Sequence, residues 1–376
     1  MKELFTLLRL GLGVSGIEHE NQSDFIMLSA EKWAQIGDMA RKQGVLGIML
    51  DGVDKIESTN YGLTRELKAN QKLEWIGEVL QIEQRNRQQL QMMNNLAERW
   101  SQNGMCVMVM KGQTNGLMYP KPEHRSPGDI DCFLFNVNAN LNANDNQNQN
   151  AYQRGNDVAR EAGAKVDESW YKHSVISYKS ETFENHQYFV HTREGKRSKL
   201  LQRDLEDALR VTDWRAFPNS VVVLPPVQWN AMFLTYHACG HFVTEGLRLK
   251  QVLDWAMFLQ KEQDSVDWTV FYAFCERHHL RRFADALTAI CVEHLGVKIT
   301  NPAITAVSPY SEKILHSALY DDDYIYNAGE GRWGGRWHLV RSLFKYRWKY
   351  EEIYQQSVWT QLWWYASGYL FHTEKQ

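Results

Sequence analysis

Apolar and polar residues recur at helical intervals through the first hundred positions. Trp33, Ile36, Met39 and Ala40 fall three or four residues apart after Ser29, a residue type suited to capping a first helical turn. From about 60 to 100 the chain lacks proline and is rich in Gln, Glu, Arg and Leu. Leu73, Ile76, Leu80, Met92, Leu96 and Trp100 are expected to share one face of a long helix, or of two collinear ones, with the polar side solvated. The pattern changes at Met105, where residues 105–110 form an unbroken apolar run of strand length. That run ends at Lys111-Gly112. A short helix is expected over 113–119, closed by Tyr119-Pro120, and a polar turn then leads to a second strand, Asp129–Phe135.

The tract 136–150 is dominated by Asn and Gln, with too few apolar side chains to order itself, and is expected to be a mobile loop or insertion. A helix over 151–163 and strands over 174–178 and 182–190 complete a small mixed α/β unit. Pro225-Pro226 marks the next boundary. Helical patterns run from Val227 to Gln260 and on to the C-terminus, punctuated near Pro302, Pro309 and Gly334-Gly335. The expected fold is α+β: a mixed-sheet core over 101–224 between helical regions 1–100 and 225–376, with no internal repeat.

At 376 residues the chain suits two or three domains on a prior of about 150 residues each. A net charge of −3 with 23% charged residues argues against a disordered polyampholyte and a generally basic nucleic-acid coat. No apolar run reaches the ~18 residues of a spanning helix; the apolar stretch 359–371 is too short. Glu3 sits where a secretory signal would carry only positive charge. Five cysteines form no C-x-x-C pair and read as free thiols. A soluble, cytoplasmic protein is the expectation.

Candidate chemistry gathers in the middle of the chain. Asp129 and Asp131 flank Ile130, so an extended backbone puts both carboxylates on one face, roughly 6.5–7 Å apart at Cα, with Ile130 turned to the core. Two ionised carboxylates side by side call for a cation, and hard oxygen ligands suit Mg²⁺ or Mn²⁺. Lys111-Gly112, at the end of an apolar strand and the start of a helix, fits a phosphate cradle: glycine permits close backbone approach and lysine adds charge. In Thr182-Phe-Glu-Asn-His-Gln187, Glu184 and His186 share a face opposite Phe183. Glu184 is the candidate third ligand, with His186 beside it to orient a ligand or touch substrate.

Lys111-Gly112, Tyr119-Pro120, Arg125, Gly128-Asp129-Ile130-Asp131 and Glu184-Asn-His186 occur in an order that resembles the bacterial uncharacterised nucleotidyltransferase family, of the polymerase-beta-like superfamily. The resemblance covers roughly 105–260. It implies a divalent metal, Mg²⁺ or Mn²⁺, held by Asp129, Asp131 and Glu184, and a nucleoside triphosphate attacked at its α-phosphate. Two ions about 3.5–4 Å apart would stabilise the attacking and leaving oxygens. It also implies a nucleotide-binding set of Lys111, Gly112, Arg125, Gly128, His186 and Arg248. The product would be a nucleotidylated acceptor hydroxyl, in RNA, protein or a small molecule, plus pyrophosphate. The wider superfamily carries Gly-Ser or Gly-Gly before the helix, where this chain has Lys111-Gly112-Gln113. A catalytically inactive nucleotide- or protein-binding relative is the alternative, and Arg125 is equally suited to a structural ion pair.

Three other signals have plainer explanations. His237 and His241 stand one helical turn apart, but Ala238 occupies the position a zinc protease fills with Glu, so a zinc hydrolase is the least favoured reading. Glu245, Arg248 and Asp254 fall near whole turns of what reads as one helix, suggesting an ion-pair ladder or a cover for a nucleotide. Arg332, Arg336, Arg341, Lys345, Arg347 and Lys349 alternate with aromatic residues, a pattern that could grip a polynucleotide or an anionic surface but is better explained as a packed amphipathic helix. Trp337, Val340, Phe344 and Trp348 have the spacing of a core face, and the acidic run Asp321–Asp323 lies near enough to neutralise the basic one.

Overall fold

The computed structural model describes residues 1–14, 25, 28–60, 64–136, 145–192, 195–210, 214–321 and 340–371. They form two compact units built from interleaved segments. The first takes Met1–Ile82, Met118–Ser126 and Leu234–Phe371, and the second takes Glu83–Leu117 and Pro127–Phe233. This division cuts across the three consecutive regions expected from composition, because a nine-residue-scale excursion after the first strand returns to the helical unit and one long helix is shared.

In the first unit, α1 (Lys2–Leu12) packs on α3 (Leu46–Asn60) at a glycine-lined contact. A Cβ at Gly11 would lie 2.0 Å from the Ile48 carbonyl oxygen, and one at Gly52 would lie 2.1 Å from that of Leu7, so only glycine allows this approach. In α2 (Ala30–Lys42) the Ser29 hydroxyl accepts from the Lys32 N–H at 3.3 Å, as its position suggested. Trp33, Ile36 and Ala40 are buried, and Gly37 leaves room for the Trp75 ring.

The long helix exists as α4 (Ala69–Gln102), with its apolar face corrected near the start. Leu73 and Leu80 are 65% and 54% exposed, whereas Trp75 and Val79 are buried. At about 100° per residue, Leu73 and Leu80 lie roughly 150° around the helix from Leu96, which is buried with Met92 and Trp100.

The second unit is organised by a five-stranded sheet in the order β1-β2-β5-β4-β3. Its strands are β1 (Met105–Val109), β2 (Ile130–Asn136), β3 (Lys165–Asp167), β4 (His173–Tyr178) and β5 (Glu181–His186). The β2–β5 pair is parallel and the others are antiparallel. Ile130, Cys132, Leu134, Ile176 and Phe183 turn to one face, where Leu96, Ala97 and Trp100 of α4 meet Ala151 and Ala159 of α6 (Asp145–Glu161). Full burial of a side chain such as Phe183 contributes about 1.5–3 kcal/mol. A Cβ at Gly155 would meet Leu134 at 2.1 Å, and the Trp100 indole donates to the Gly155 carbonyl at 3.0 Å. The architecture is α+β, as expected.

Two expectations change here. Asn136 closes β2 and residues 145–150 are helical, while 137–144 lie outside the described residues. The tract is therefore not a loop throughout: Ala151, Val158 and Ala159 anchor α6, and extending a nucleated helix backwards costs little. The short helix after Gly112, α5 (Gln113–Gly116), is a single turn. α7 (Lys196–Ala208) follows the sheet.

Beyond Pro226 the continuous helix expected to Gln260 is two, α8 (Val227–Thr244) and α9 (Leu249–Glu262). Gly246, at φ +98°, makes the break, so Glu245, Arg248 and Asp254 do not form one ladder. α10 (Trp268–Arg277), α11 (Arg281–Leu295) and α12 (Ser311–Tyr320) follow, with a C-terminal helix over Val358–Phe371. Residues 322–339 lie outside the described residues, and with them Asp322, Asp323, Arg332, Trp333, Arg336 and Trp337. In the described remainder the buried residues include Ser342, Leu343, Tyr346, Lys349 and Tyr350, while Phe344 is 37% exposed. Lys349 Nζ lies 3.0 Å from Asp321, so one member of the basic run is a buried counter-charge. Among the described residues no helix is long and apolar enough to cross a membrane. All five cysteines are free.

Candidate active site

The parallel β2–β5 register sets Asp131 opposite Glu184 and Ile130 opposite Phe183. Strand parity then turns Asp129, Asp131, Glu184 and His186 away from the apolar face. The antiparallel β4–β5 register adds His173 opposite His186, with ring centroids 4.9 Å apart. Sequence reasoning missed His173 because it began that strand one residue late. Parity with Val175 was the available signal.

His186 Nε2 lies 3.2 Å from both Asp131 Oδ1 and Glu184 Oε2, and its Nδ1 lies 3.1 Å from the Tyr188 carbonyl oxygen. Lys111 Nζ is 2.8 Å from Asp131 Oδ2, and His173 Nδ1 is 3.6 Å from Glu184 Oε2. Asp131 and His186 are buried, Glu184 is partly buried and Asp129 is exposed at the strand's mouth. Three amides steady the loops around them. Gln113 on α5 donates to Asn86 and Gln89 of α4, and Gln89 donates to the Gly128 carbonyl at 2.6 Å. Gly112 adopts φ +80°, ψ −107°, a region that strongly disfavours other residues.

Electrostatics at this face are those of crowded carboxylates. Partial desolvation by the surrounding site pushes the Asp129 carboxyl up, and the Glu184 and Asp131 charges push it further. Burial also acts upward on Asp131 and Glu184, but Lys111 and His186 hold Asp131 well below the usual range, and His186 holds Glu184 below it. Burial pulls His186 down, yet its hydrogen bonds to Asp131 and Glu184 raise it overall. Burial lowers His173 to about 4, leaving a neutral imidazole at pH 7. A proton on His186 Nε2 serves two carboxylates, and a metal cation can serve them from the same place.

The model of a family described as uncharacterised nucleotidyltransferase matches residues 29–296, well over half of the chain. The chain belongs to this family. No curated protein and no solved structure matches it. Membership in this nucleotidyltransferase family supports a general nucleotidyl-transfer role and a nucleotide substrate. Nucleotidyltransferases generally use divalent metals. The residues here fit such an ion: mutually repelling carboxylates converge from adjacent strands, and the donor atoms of His173, Glu184 and His186 all lie within 4.8 Å of one another. Among the described residues one further such group exists, Glu293, His294 and Glu312, and it is more exposed.

Lys111, Gly112, Gly128, Asp129, Asp131, Glu184 and His186 all belong to the sheet unit. Arg125 and Arg248 belong to the helical unit. Arg125 is committed to Asp254 by two hydrogen bonds of 2.7 Å, and the Tyr119 hydroxyl donates to the same carboxylate at 2.8 Å. Of its two expected roles the structure displays the ion pair. Exposed Arg248 starts α9, its backbone N–H donating to Gln251 at 2.7 Å. His237 and His241 face each other at 3.1 Å between Nε2 atoms, and His241 Nδ1 lies 3.0 Å from Glu245. The one-turn α5 contributes little helix dipole, so the expected phosphate cradle reduces to Gly112 and Lys111.

Proposed function

We propose that this protein transfers a nucleoside monophosphate from a nucleoside triphosphate to an acceptor hydroxyl, dependent on Mg²⁺ or Mn²⁺. The observation that carries the reading is the register of β2 against β5, which sets Asp131 beside Glu184 with Asp129 two residues upstream. Asp129, Asp131 and Glu184 would hold the cation. A divalent ion bound there supplies charge that neutralises the triphosphate and favours ionisation of the acceptor hydroxyl. Lys111 adds positive charge to one side of the carboxylate set. Gly112, lacking a side chain, leaves its backbone open to a phosphate, and Gly128 sits in a loop held by Gln89. His186 orients both Asp131 and Glu184. The acceptor oxygen bonds to the α-phosphorus, the bond to the bridging oxygen breaks, pyrophosphate leaves and the hydroxyl proton is released. Arg125 is assigned to the frame, and Arg248 is left outside this set.

The test is incubation of purified protein with each [α-³²P] nucleoside triphosphate, Mg²⁺ or Mn²⁺ and a cell extract, followed by sizing of the labelled product. Transfer is expected and should vanish in Asp129→Asn and Asp131→Asn. Unchanged transfer in those variants refutes the site. Cation-dependent nucleotide binding without transfer would favour the inactive binding relative.

A further inference from the structure

We propose that the cation site of the sheet unit is a mixed nitrogen–oxygen site. His173 and His186 join Asp131 and Glu184 in binding a first-row transition dication, so that Mn²⁺ is preferred to Mg²⁺. The inference rests on the reading of these carboxylates as cation ligands and adds two ligands to it.

Three observations carry it. The first is convergence: one ligand atom comes from each of His173 on β4 and Glu184 and His186 on β5, all within 4.8 Å, and Asp131 on β2 is Glu184's register partner. Ligands held about 2.0–2.2 Å from one ion sit roughly 3–4.4 Å apart, and the separations of 3.2 Å and 3.6 Å fall in that span. The second is the ring orientation of His186. Its Nδ1 faces the Tyr188 carbonyl, so Nδ1–H is used there and Nε2 points at two carboxylate oxygens. A carbonyl behind the ring is the arrangement that fixes ligating histidines. The third is His173: its Nδ1 is buried, makes no hydrogen bond, and is turned toward Glu184. A buried ring nitrogen with no partner carries an uncompensated desolvation cost that a bound ion would remove.

Donor type decides the ion. Mg²⁺ takes oxygen ligands in near-ideal octahedral geometry and gives up water reluctantly. Imidazole nitrogen favours the later first-row dications, and carboxylate suits Mn²⁺, so two imidazoles beside the carboxylates select an ion that accepts both.

The test uses the full chain, stripped with chelator and titrated with Mn²⁺, and reads nitrogen coupling to the ion by electron spin-echo envelope modulation. We expect ¹⁴N modulation that disappears when histidine alone is ¹⁵N-labelled, a control that needs no mutation. It should weaken in His173→Gln, checked by circular dichroism for an intact fold. Displacement of Mn²⁺ should require at least ~10-fold more Mg²⁺. Mn²⁺ binding that is lost in Asp131→Asn yet shows no ¹⁴N modulation overturns the mixed site and leaves the carboxylate reading standing. Failure of the folded chain to bind Mn²⁺ overturns both.

Discussion

Replacing Asp254 with Asn would leave the Arg125 guanidinium buried without its counter-charge. Side-chain exposure is 7% for Arg125 and 8% for Asp254, so solvent cannot compensate. Removing one partner of a buried pair costs about 3–5 kcal/mol. Asn still accepts a hydrogen bond from Arg125 or Tyr119, which places the expected loss near the lower end, about 3 kcal/mol. With a urea dependence of about 3 kcal/mol per molar, the unfolding midpoint should fall by about 1 M. The double variant Arg125→Met/Asp254→Leu removes both charges and should recover most of that loss. Burial pushes the Asp254 carboxyl up, but the Arg125 charge and the hydrogen bonds from Arg125 and Tyr119 bring it below the usual range. A depressed carboxyl contributes above its unfolded value of about 3.9 and loses that contribution as pH falls through its folded value. The wild type should therefore lose more stability than Asp254→Asn on acidification below about pH 4. Urea titration followed by far-UV circular dichroism, with hydrogen exchange of the α9 amides, measures all three. A midpoint shift in Asp254→Asn under about 0.3 M, or a double variant no better than the single, would refute the assignment of Arg125 to the frame.

Gly52→Ala should destabilise by at least about 2 kcal/mol in thermal unfolding, because its Cβ would sit 2.1 Å from the Leu7 carbonyl oxygen and force α1 and α3 apart. Gly112→Ala meets no clash, only ordinary contact at 3.6 Å with the Asp129 carbonyl oxygen. Its cost of about 1–3 kcal/mol is conformational, and calorimetry should find it alongside weaker nucleotide binding. In chelator-treated protein the raised His186 stabilises fully below about pH 6.5 and ceases to as pH rises through its folded value. Unfolding free energy measured across pH 6–9 should decline in wild type and stay flatter in His186→Gln.

The shared face of Asp129, Asp131, Glu184 and His186 was legible because strand parity is a local property. The order of short motifs around Asp129-Ile-Asp131 likewise anticipated the family. Register is not local: that Asp131 meets Glu184, and His173 meets His186, depends on how five strands align. Arg125 shows the same limit more sharply. Its partner Asp254 lies 129 positions away, and nothing in the Arg125 neighbourhood distinguishes a phosphate ligand from a buried counter-charge. Leu73 and Leu80 failed for another reason. A 34-residue helix serves two units, so no single stripe need stay buried along it.

The short detour of the backbone through Met118–Ser126 constrains anyone who wishes to isolate the sheet unit by truncation. An excised fragment spanning 83–233 would carry the detour but not its hosts. Lys121 and His124 would be severed from Asp51, and Arg125 from Asp254. Two buried basic side chains, His124 and Arg125, and the half-exposed Lys121 would be left without their counter-charges on the link between Gly112 and Asp129. A splice replacing 118–126 with a brief neutral linker is the rational starting point for such a minimal protein.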